Sequence, residues 1–387
     1  MIGLIMMKNK IRERLEVMKY NKIIMEEALE VIIDYRGKTP KKSESGVQTL
    51  SAKSVKNNYI DYSKCYFISK EEYNKFMVRG LPQKGDILLT TEAPLGLVAK
   101  LDRDNVAIAQ RLLTLRGKKG VLDNDYLLYY LQSPKGQYSL KARESGTTVT
   151  GIKQAEFRKI ELHLPDYEIQ LKIGRILNSL NDKIELNNKI NKNLEQQAQA
   201  VFDNMFPDIS DGINCIGDII TPKRGKVLLA KDAIYGNIPV IAGGLEPATY
   251  HNISNTVAPV ITISSSGANA GFVNLWHISV WSSDSSFIDS SMTNNVYFWY
   301  VLLKKRQKEI FDSQTGSAQP HIYPKHIAAM CISELNQTEI DKFTEIVNPL
   351  FKKVRNNKIE NDYLVIIRDT LLTKLMSGEI DISEIDI

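Results

Sequence analysis

Two long segments carry apolar side chains at alternating steps of three and four residues, and no other feature of the chain constrains its fold more. The first segment runs from 166 to 206 and the second from 337 to 376. Heptad patterns of this length are typical of helices that pair in a coiled coil. At 1.5 Å per residue, each helix would be about 55–60 Å long. Two ordinary amphipathic helices, each packed on its own domain, are the alternative interpretation.

The interface between the two helices is expected at the heptad positions. The apolar ones are Ile173, Ile176, Leu180, Ile190, Leu194 and Val201 in the first segment, and Ile340, Phe343, Val347, Leu350, Val354, Leu364, Leu371 and Leu375 in the second. Asn187, Asn357 and Asn361 interrupt this apolar seam. A buried asparagine fixes register and partner in coiled coils, so these residues favour pairing of the two helices.

The stretches before each helical segment are rich in short β-like runs separated by Gly, Pro, Asn and Asp. Examples are DILLTT (86–91) in the first stretch and PVITISSS (259–266) in the second. The predicted fold class is α+β, with two β-rich globular domains joined by two long helices that form an antiparallel coiled coil. The predicted boundaries are a leader at 1–18, a first domain at 19–165, a first spacer helix at 166–206, a second domain at 207–336, a second spacer helix at 337–376 and a tail at 377–387.

Short sequence matches indicate that this domain-plus-helix unit occurs twice. SGTTVTGIKQAEF, which begins at 145, resembles TGSAQPHIYPKHI, which begins at 315, an offset of 170 residues. Further pairs are YRGK (35–38) with KRGK (223–226), GLVAKL (96–101) with GFVNLW (271–276), and YLLYYL (126–131) with VYFWYV (296–301). Each match is weak, but all of them follow the same order in both halves. The sequence therefore predicts one internal duplication with pseudo-twofold character.

Composition permits nucleic-acid binding without requiring it. The chain has 50 Lys and Arg against 45 Asp and Glu, a net charge of +5. Three widely spaced cysteines, Cys65, Cys215 and Cys331, fit a reducing cytosol better than a disulfide framework. No zinc-ligand spacing occurs, so no metal site is expected. No apolar run reaches the length of a membrane span, and the leader is either a short helix or an extension ahead of Met18.

Two domains on a long helical spacer could contact two short sites on one face of a DNA duplex. A separation on the order of 50 Å exceeds one helical turn of about 34–36 Å. Candidate DNA-binding residues carry cationic, hydroxyl, amide or carboxylate groups suited to phosphates or base edges. They are Arg36, Lys38, Lys53, Thr91, Glu92, Arg111, Thr147, Thr148 and Lys153 in the first domain, and Arg224, Lys226, Ser265, Ser266, Asn269, Ser283, Gln319, His321 and Lys325 in the second.

Each candidate also has an ordinary interpretation. An RGK triplet is more often a solvated turn than a phosphate clamp, and Ser- and Gly-rich loops are usually only loops. Glu92 is interpreted as a structural or base-contacting residue rather than as a catalytic acid. The sequence has no GxSxG, no GxGxxG opening a helix and no NPPY-like tetrapeptide, so no catalytic site is predicted.

Five stretches carry a family resemblance. They are GDILLTTEAPLG (85–96), AQRLLTLRG (109–117), LNSLNDKIELNNKINKNLEQQAQAVFDNMF (177–206), ISSSGANAG (263–271) and TGSAQPHI (315–322). Together they resemble the specificity (S) subunit of type I restriction–modification enzymes over about residues 20–377. The leader before Lys19 has no counterpart in that family, and the C-terminal helix is more basic than the family pattern.

The resemblance implies a division of labour among subunits. Each domain would be a target recognition domain that reads one half of a split double-stranded DNA sequence. The two helices would set the spacing and dock two methyltransferase (M) subunits, and restriction (R) subunits would join through the complex. S-adenosylmethionine, ATP and magnesium would be bound by those partners and no cofactor by this chain, which would be non-catalytic and cytoplasmic. A coiled-coil scaffold without DNA specificity is the alternative, and an autonomous enzyme would need a motif that the sequence lacks.

Overall fold

The computed structural model describes residues 20–146, 150–316 and 319–385. The leader and the candidates Thr147 and Thr148 lie outside the described residues. The chain divides into two compact units: unit 1 takes the residues up to Glu185 and those from Asn361 onward, and unit 2 takes Leu186–Glu360. Unit 1 is therefore built from two separate stretches of the chain, whereas unit 2 is continuous. The domain boundaries predicted from sequence stay a prediction.

Unit 1 mixes short strands with helices. Its strands are β1 (Asn21–Ile24), β2 (Leu29–Asp34), β3 (Val47–Leu50), β4 (Tyr66–Ile68), β5 (Ile87–Thr91), β6 (Leu95–Lys100), β7 (Ala107–Ile108), β8 (Leu112–Gly117), β9 (Glu144–Ser145), β10 (Gly151–Ile152) and β11 (Glu161–Leu164). Its helices are α1 (Met25–Ala28), α2 (Lys70–Phe76), α3 (Asn124–Gln132), α4 (Pro134–Lys141), α5 (Gln154–Arg158), the first part of α6 (Tyr167–Met205) and the end of the last helix, α10 (Gln337–Ser377). A 3-10 helix spans Tyr62–Lys64.

Unit 2 has a similar succession of strands and helices, with fewer elements. Its strands are β12 (Asn214–Cys215), β13 (Lys223–Arg224), β14 (Ile238–Ile241), β15 (Thr249–His251), β16 (Val260–Ser264), β17 (Val273–Trp276), β18 (Trp281–Ser282), β19 (Ser285–Asp289) and β20 (Cys331–Ile332). Its helices are the end of α6, then α7 (Val296–Lys305), α8 (Gln307–Asp312), α9 (Pro324–Ala328) and the first part of α10 (Gln337–Ser377). Two 3-10 helices span Ile216–Asp218 and Ala230–Asp232.

The sheets of the two units have the same topology. A four-stranded antiparallel sheet has the order β2-β8-β5-β6 in unit 1 and β13-β19-β16-β17 in unit 2. A three-stranded sheet has the order β4-β3-β7 in one and β15-β14-β18 in the other, and in both the second pair is parallel. The first and last strands of each globular part also pair, as β1-β11 and β12-β20. This shared topology confirms the internal duplication and the α+β class.

Each globular part has its own core. In unit 1, β5 is buried on both faces, because Ile87 and Leu89 pack into one cluster and Leu88 into another, as the two-residue period of a strand requires. In unit 2, Phe202 of α6 lies 5.5 Å from both Phe298 and Phe343, measured between ring centroids. The ends of both long helices in unit 2 are therefore part of the core of its globular part.

The two long helices run antiparallel within each unit, as predicted. In unit 1, Arg368 Nη1 donates to Asn181 Oδ1 (3.0 Å), and Lys172 Nζ donates to the carbonyl of Ser383 (2.8 Å). In unit 2, Asn187 contacts Glu360 and Phe202 contacts Phe343. In both units the number of the contacted residue falls as the residue number on α6 rises, as antiparallel pairing requires.

The helix seam includes several of the predicted positions and differs at others. Ile173, Asn187, Phe343, Val347 and Val354 are buried, whereas Ile176, Leu180, Ile190, Leu194, Val201, Leu350, Leu364 and Leu371 are half-buried. The buried neighbours Leu177, Asn191, Ala198 and Phe202 were missed from sequence. A straight helix advances 3.6 residues per turn, so a strict heptad assignment drifts by one residue along it. The role of these side chains toward partner subunits stays a prediction.

Two residues that usually interrupt helices lie inside these long ones. Gly174 sits where a Cβ would come within 2.9 Å of the Cβ of Asp125, so α6 needs glycine to pack this closely against α3. Pro349 lies inside α10 at an exposed position. Within the described part of the chain, no helix is long and apolar enough to cross a membrane.

Candidate DNA interface

Four of the predicted residues of unit 1 meet beyond the ends of β5 and β8. Arg111 Nε lies 2.7 Å from Glu92 Oε1, and Arg36 Nη2 lies 4.0 Å from Glu92 Oε2. The same Arg36 nitrogen donates to the carbonyl of Ile152 (3.1 Å) and contacts Thr91 Oγ1 (3.4 Å). We call Arg36, Thr91, Glu92 and Arg111 the Glu92 cluster.

The Glu92 cluster is accessible to solvent. The side chains of Arg36, Glu92 and Arg111 are 38%, 25% and 49% exposed. Ion pairs this open to water contribute little to stability. Their main physical effect is to hold two guanidinium groups and a carboxylate in defined positions at the surface.

The three predicted lysines of unit 1 are exposed and differ in position. Lys38 follows Gly37, whose φ of +79° lies in the left-handed region that glycine favours. Lys153 directly follows Ile152 and precedes α5, next to the contact that Arg36 makes. Lys53 makes no hydrogen bond or ion pair with the Glu92 cluster among the described residues.

Unit 2 has a corresponding group around a carboxylate that sequence reasoning missed. Arg224 Nη2 lies 2.8 Å from Asp284 Oδ1, and Ser266 Oγ donates to Asp284 Oδ2. The backbone amide of Ser265 donates to the carbonyl of Asp284 (3.1 Å), and His321 pairs with Ser266 through a β-bridge. We call Arg224, Ser265, Ser266, Asp284 and His321 the Asp284 cluster.

An aromatic ring extends the Asp284 cluster. The rings of His321 and Tyr323 are nearly parallel, with centroids 5.9 Å apart and an interplanar angle of 17°. The Arg224 guanidinium and the Lys325 ammonium each lie 5.9 Å from the Tyr323 ring centroid, within the range of cation–π attraction. Tyr323 is exposed, so its ring holds two cationic groups beside His321 at the surface.

The remaining predicted residues of unit 2 divide between structural and exposed positions. Ser283 is buried, and its Oγ accepts from the backbone amide of Leu228 (3.0 Å), so it holds a loop in place. Asn269 is half-buried in the turn before β17. Lys226 and Gln319 are exposed.

The sequence match between 145–157 and 315–327 corresponds to the same backbone feature in both units. Ser145 pairs with Gly151 in unit 1, and Thr315 pairs with His321 in unit 2, each 170 positions further along the chain. A residue just after the central strand bridges to this hairpin in each unit. Glu92, which follows β5, pairs with Gly151, and Ser266, which follows β16, pairs with His321. The repeated sequence thus builds one edge of each cluster.

Equivalent backbone bonds align the two clusters residue by residue. The amide of Thr91 donates to the carbonyl of Arg111 (3.0 Å), as the amide of Ser265 does to that of Asp284 (3.1 Å). Arg111 therefore corresponds to Asp284, and the following residue, Glu92, corresponds to Ser266. The acidic residue of unit 1, Glu92, directly follows β5, whereas that of unit 2, Asp284, directly precedes β19. The two units place different charges on the same framework.

Comparison with known proteins identifies this framework. A family model described as the type I restriction modification DNA specificity domain matches residues 29–196. The specificity subunit of the type I restriction enzyme MjaIX from Methanocaldococcus jannaschii is 28% identical over 343 residues, which are 78% of this chain and 79% of the relative. Residues 29–196 therefore carry a type I restriction modification DNA specificity domain, and most of the chain is similar to a specificity subunit. The family match covers nearly all of the first globular part and most of α6.

Two further similarities extend the comparison. The specificity subunit of the type I restriction enzyme HindI from Haemophilus influenzae is 29% identical over 185 residues, 45% of this chain and 40% of that one. The crystal structure of the S subunit from M. genitalium has a TM-score of 0.59 and 19% identity, covering 93% of this chain and 96% of that one. That likeness supports the fold. Across 20–146, 150–316 and 319–385, no three His, Cys, Asp or Glu side chains gather as metal ligands would.

Proposed function

We propose that this chain is a specificity subunit that reads a two-part DNA sequence, one part through the Glu92 cluster and the other through the Asp284 cluster. The observation that carries the proposal is the alignment of the two clusters on one backbone framework with different charges. A duplicated framework suits two contact sites of the same general geometry. Different side chains at matched positions suit two different half-sequences.

The side chains of both clusters have the chemistry of base recognition. Guanidinium groups donate two hydrogen bonds to guanine O6 and N7, carboxylates accept from cytosine N4, and hydroxyls do either. Unit 1 offers two arginines around Glu92, and unit 2 offers one arginine with Asp284 and Ser266. Each acid already positions its arginine, so less side-chain freedom is lost when DNA binds.

Exposed lysines near these clusters supply phosphate contacts. Lys38 and Lys226 each follow a glycine next to the cluster arginine, and Lys153 and Lys325 follow the hairpins. Contacts of this kind set the position of the protein on the duplex and make its affinity fall with salt. Lys53 is the weakest of the predicted phosphate contacts, because it adjoins neither a cluster arginine nor a hairpin in the sequence.

The long helices are proposed to bind partner subunits. In unit 1, α10 exposes Tyr363, Ile366 and Ile367, and in unit 2 it exposes Ile346 and Ile359. Apolar side chains on an exposed helix face are suited to protein contacts. We infer docking of two methyltransferase subunits there, with restriction subunits joining through the complex and S-adenosylmethionine, ATP and magnesium bound by those partners. The chain itself would be non-catalytic and would act in the cytoplasm, where its DNA target is.

Methylome sequencing tests the proposal. The chain is co-expressed with its methyltransferase subunit in cells that lack other adenine methylation, and modified adenines are mapped. The expected result is a motif of two specific half-sequences separated by unspecified bases. An unbroken motif would contradict the two-cluster proposal. No methylation, together with no duplex binding by the assembled complex at low salt, would instead favour the scaffold alternative.

A further inference from the structure

Cys215 and Cys331 lie directly opposite each other on β12 and β20, although 115 residues separate them in the sequence. The amide of the next residue, Ile216, donates to the carbonyl of Met330 (3.0 Å), which makes Ile216 and Met330 a hydrogen-bonded pair. The cysteines are then a non-hydrogen-bonded pair, for which Cα atoms are about 4.5 Å apart. Disulfides need Cα separations of about 4.4–6.8 Å. Directly opposed side chains also point to the same face of the strands.

The backbone on both sides of the pair is held in place. The amide of Cys215 donates to Asp218 Oδ2 (2.8 Å), and Arg306 Nη1 donates to the carbonyl of Cys331 (2.6 Å). Arg306 is itself buried and bound by both oxygens of Glu309. The opposition of the two cysteines on the backbone is therefore fixed by the fold.

Both thiols can be reached by a small reagent. Cys331 is exposed and Cys215 is half-buried, and both are free cysteines. The positions in unit 1 that correspond to them by strand register are Ile24 and Glu161, neither of which carries a thiol. Cys65, in unit 1, is half-buried, and burial raises the pKa of its thiol, which lowers its reactivity.

We propose that Cys215 and Cys331 form a redox site in unit 2 that low-molecular-weight disulfides such as glutathione disulfide oxidise to an intramolecular disulfide. The more exposed Cys331 thiolate attacks the reagent and releases one glutathione thiolate. The Cys215 thiolate then attacks Cys331 Sγ in the mixed disulfide and releases the second. The two cysteines lose two protons and two electrons, and the reagent is reduced to two thiols.

The bond would join the first and last strands of the globular part of unit 2. It would close a chain loop that contains the whole Asp284 cluster, and closing a long loop restricts the unfolded chain. Unit 1 would be unaffected. This site is independent of the proposed DNA-reading function, and its test does not involve DNA.

Thiol counting on the full-length chain tests the proposal. The folded chain is treated with glutathione disulfide, unfolded, labelled with N-ethylmaleimide and weighed. The reduced chain should take a label on each of its three cysteines. The oxidised chain should keep only the Cys65 label and yield a peptide that joins Cys215 to Cys331. A Cys65→Ser variant should lose all labelling on oxidation, and dithiothreitol should restore the Cys215 and Cys331 labels.

The rate of oxidation separates a fold-determined pair from ordinary thiols. Labels should be lost at least about tenfold faster in the folded chain than in urea, because folding holds the thiols together. Equal rates would overturn the proposal. So would retention of all labels, a persistent glutathione adduct on Cys331 beside a free Cys215, or a disulfide between two chains.

Discussion

Asn357 Nδ2 donates a hydrogen bond to Asn191 Oδ1, 2.8 Å away, in the buried seam between α10 and α6 of unit 2. The two residues are 1% and 6% exposed. Close by, Asn187 Nδ2 donates to Glu360 Oε2 (2.9 Å). Polar pairs in an apolar seam are satisfied in only one alignment of the helices. They therefore select the register of α6 against α10.

Replacing Asn357 with alanine should destabilise unit 2. The Asn191 carbonyl would stay buried without its donor, which costs about 1–3 kcal/mol. The chain's three tryptophans, Trp276, Trp281 and Trp299, all lie in unit 2, so tryptophan fluorescence during urea unfolding reports on this unit. Asn356→Ala, at an exposed position of the same helix, should change stability by less than about 0.5 kcal/mol. Equal effects of the two variants would show that the buried pair has no special role.

The stability of unit 2 should fall as the pH is lowered, through His277. Burial, with Lys358 and Arg355 nearby, lowers the pKa of His277 from 6.5 to about 3. The unfolded chain then binds a proton that the folded chain does not. The contribution of neutral His277 to the unfolding free energy is complete above pH 6.5. It is lost between pH 6.5 and about 3, by up to about 1.4 kcal/mol per pH unit.

His277→Phe tests this source of acid sensitivity. The ring of His277 lies 6.3 Å from that of Tyr297 and 6.5 Å from that of Phe351, so a phenyl ring suits its surroundings. The variant should show a flatter dependence of the unfolding free energy on pH between 7 and 5, followed by tryptophan fluorescence. His163→Phe, in unit 1, is the control and should leave this slope unchanged. An unchanged slope in His277→Phe would assign the acid sensitivity to other groups.

Asp86→Ala should destabilise unit 1. Asp86 is buried, and its carboxylate accepts from Arg116 Nε (2.7 Å) and Nη2 (2.9 Å) as well as from the amide of Gln83 (2.8 Å). Removing the carboxylate leaves the half-buried Arg116 guanidinium without its hydrogen-bond acceptors, a loss of about 1.5–3 kcal/mol. Hydrogen exchange of β5 and β8 peptides measures the effect. Asp182→Ala, an exposed site on α6 in the same unit, should preserve their protection.

Glu92→Gln and Asp284→Asn should each change one half of the methylated motif. Each substitution removes the charge that positions an arginine while keeping the shape of the side chain. Discrimination at the affected bases should fall by about 1–3 kcal/mol. Motif sequencing of the co-expressed variants measures this, with Glu71→Gln, an exposed residue of α2, as the control. Changes in the same half-sequence from both variants would refute separate reading by the two units.

Several features of this chain follow from neighbouring residues alone. The heptad spacing predicts α6 and α10, because helical periodicity depends on positions three and four apart. The matches that begin at 145 and 315 predict the repeated hairpin, because a hairpin is a local structure. Arg36 and Arg224 could likewise be aligned from their RGK triplets.

Other features depend on strand pairing and could be known only from the tertiary structure. Asp284 was missed as the partner of Arg224 because it lies 60 positions further along the chain. Strand register decides such pairs, and register is set by which side chains are buried, a property of the whole sheet. Burial of Leu177 rather than Ile176 depends in the same way on how α6 packs against its neighbours.

The sequence by itself therefore determined the duplicated plan, the two helices and the resemblance to specificity subunits. Tertiary structure decided the contents of the two clusters and the opposition of Cys215 and Cys331. The reason is physical. Helical periodicity depends on residues close along the chain, and a repeat is found by aligning two short stretches, whereas sites are built from residues that only folding brings together.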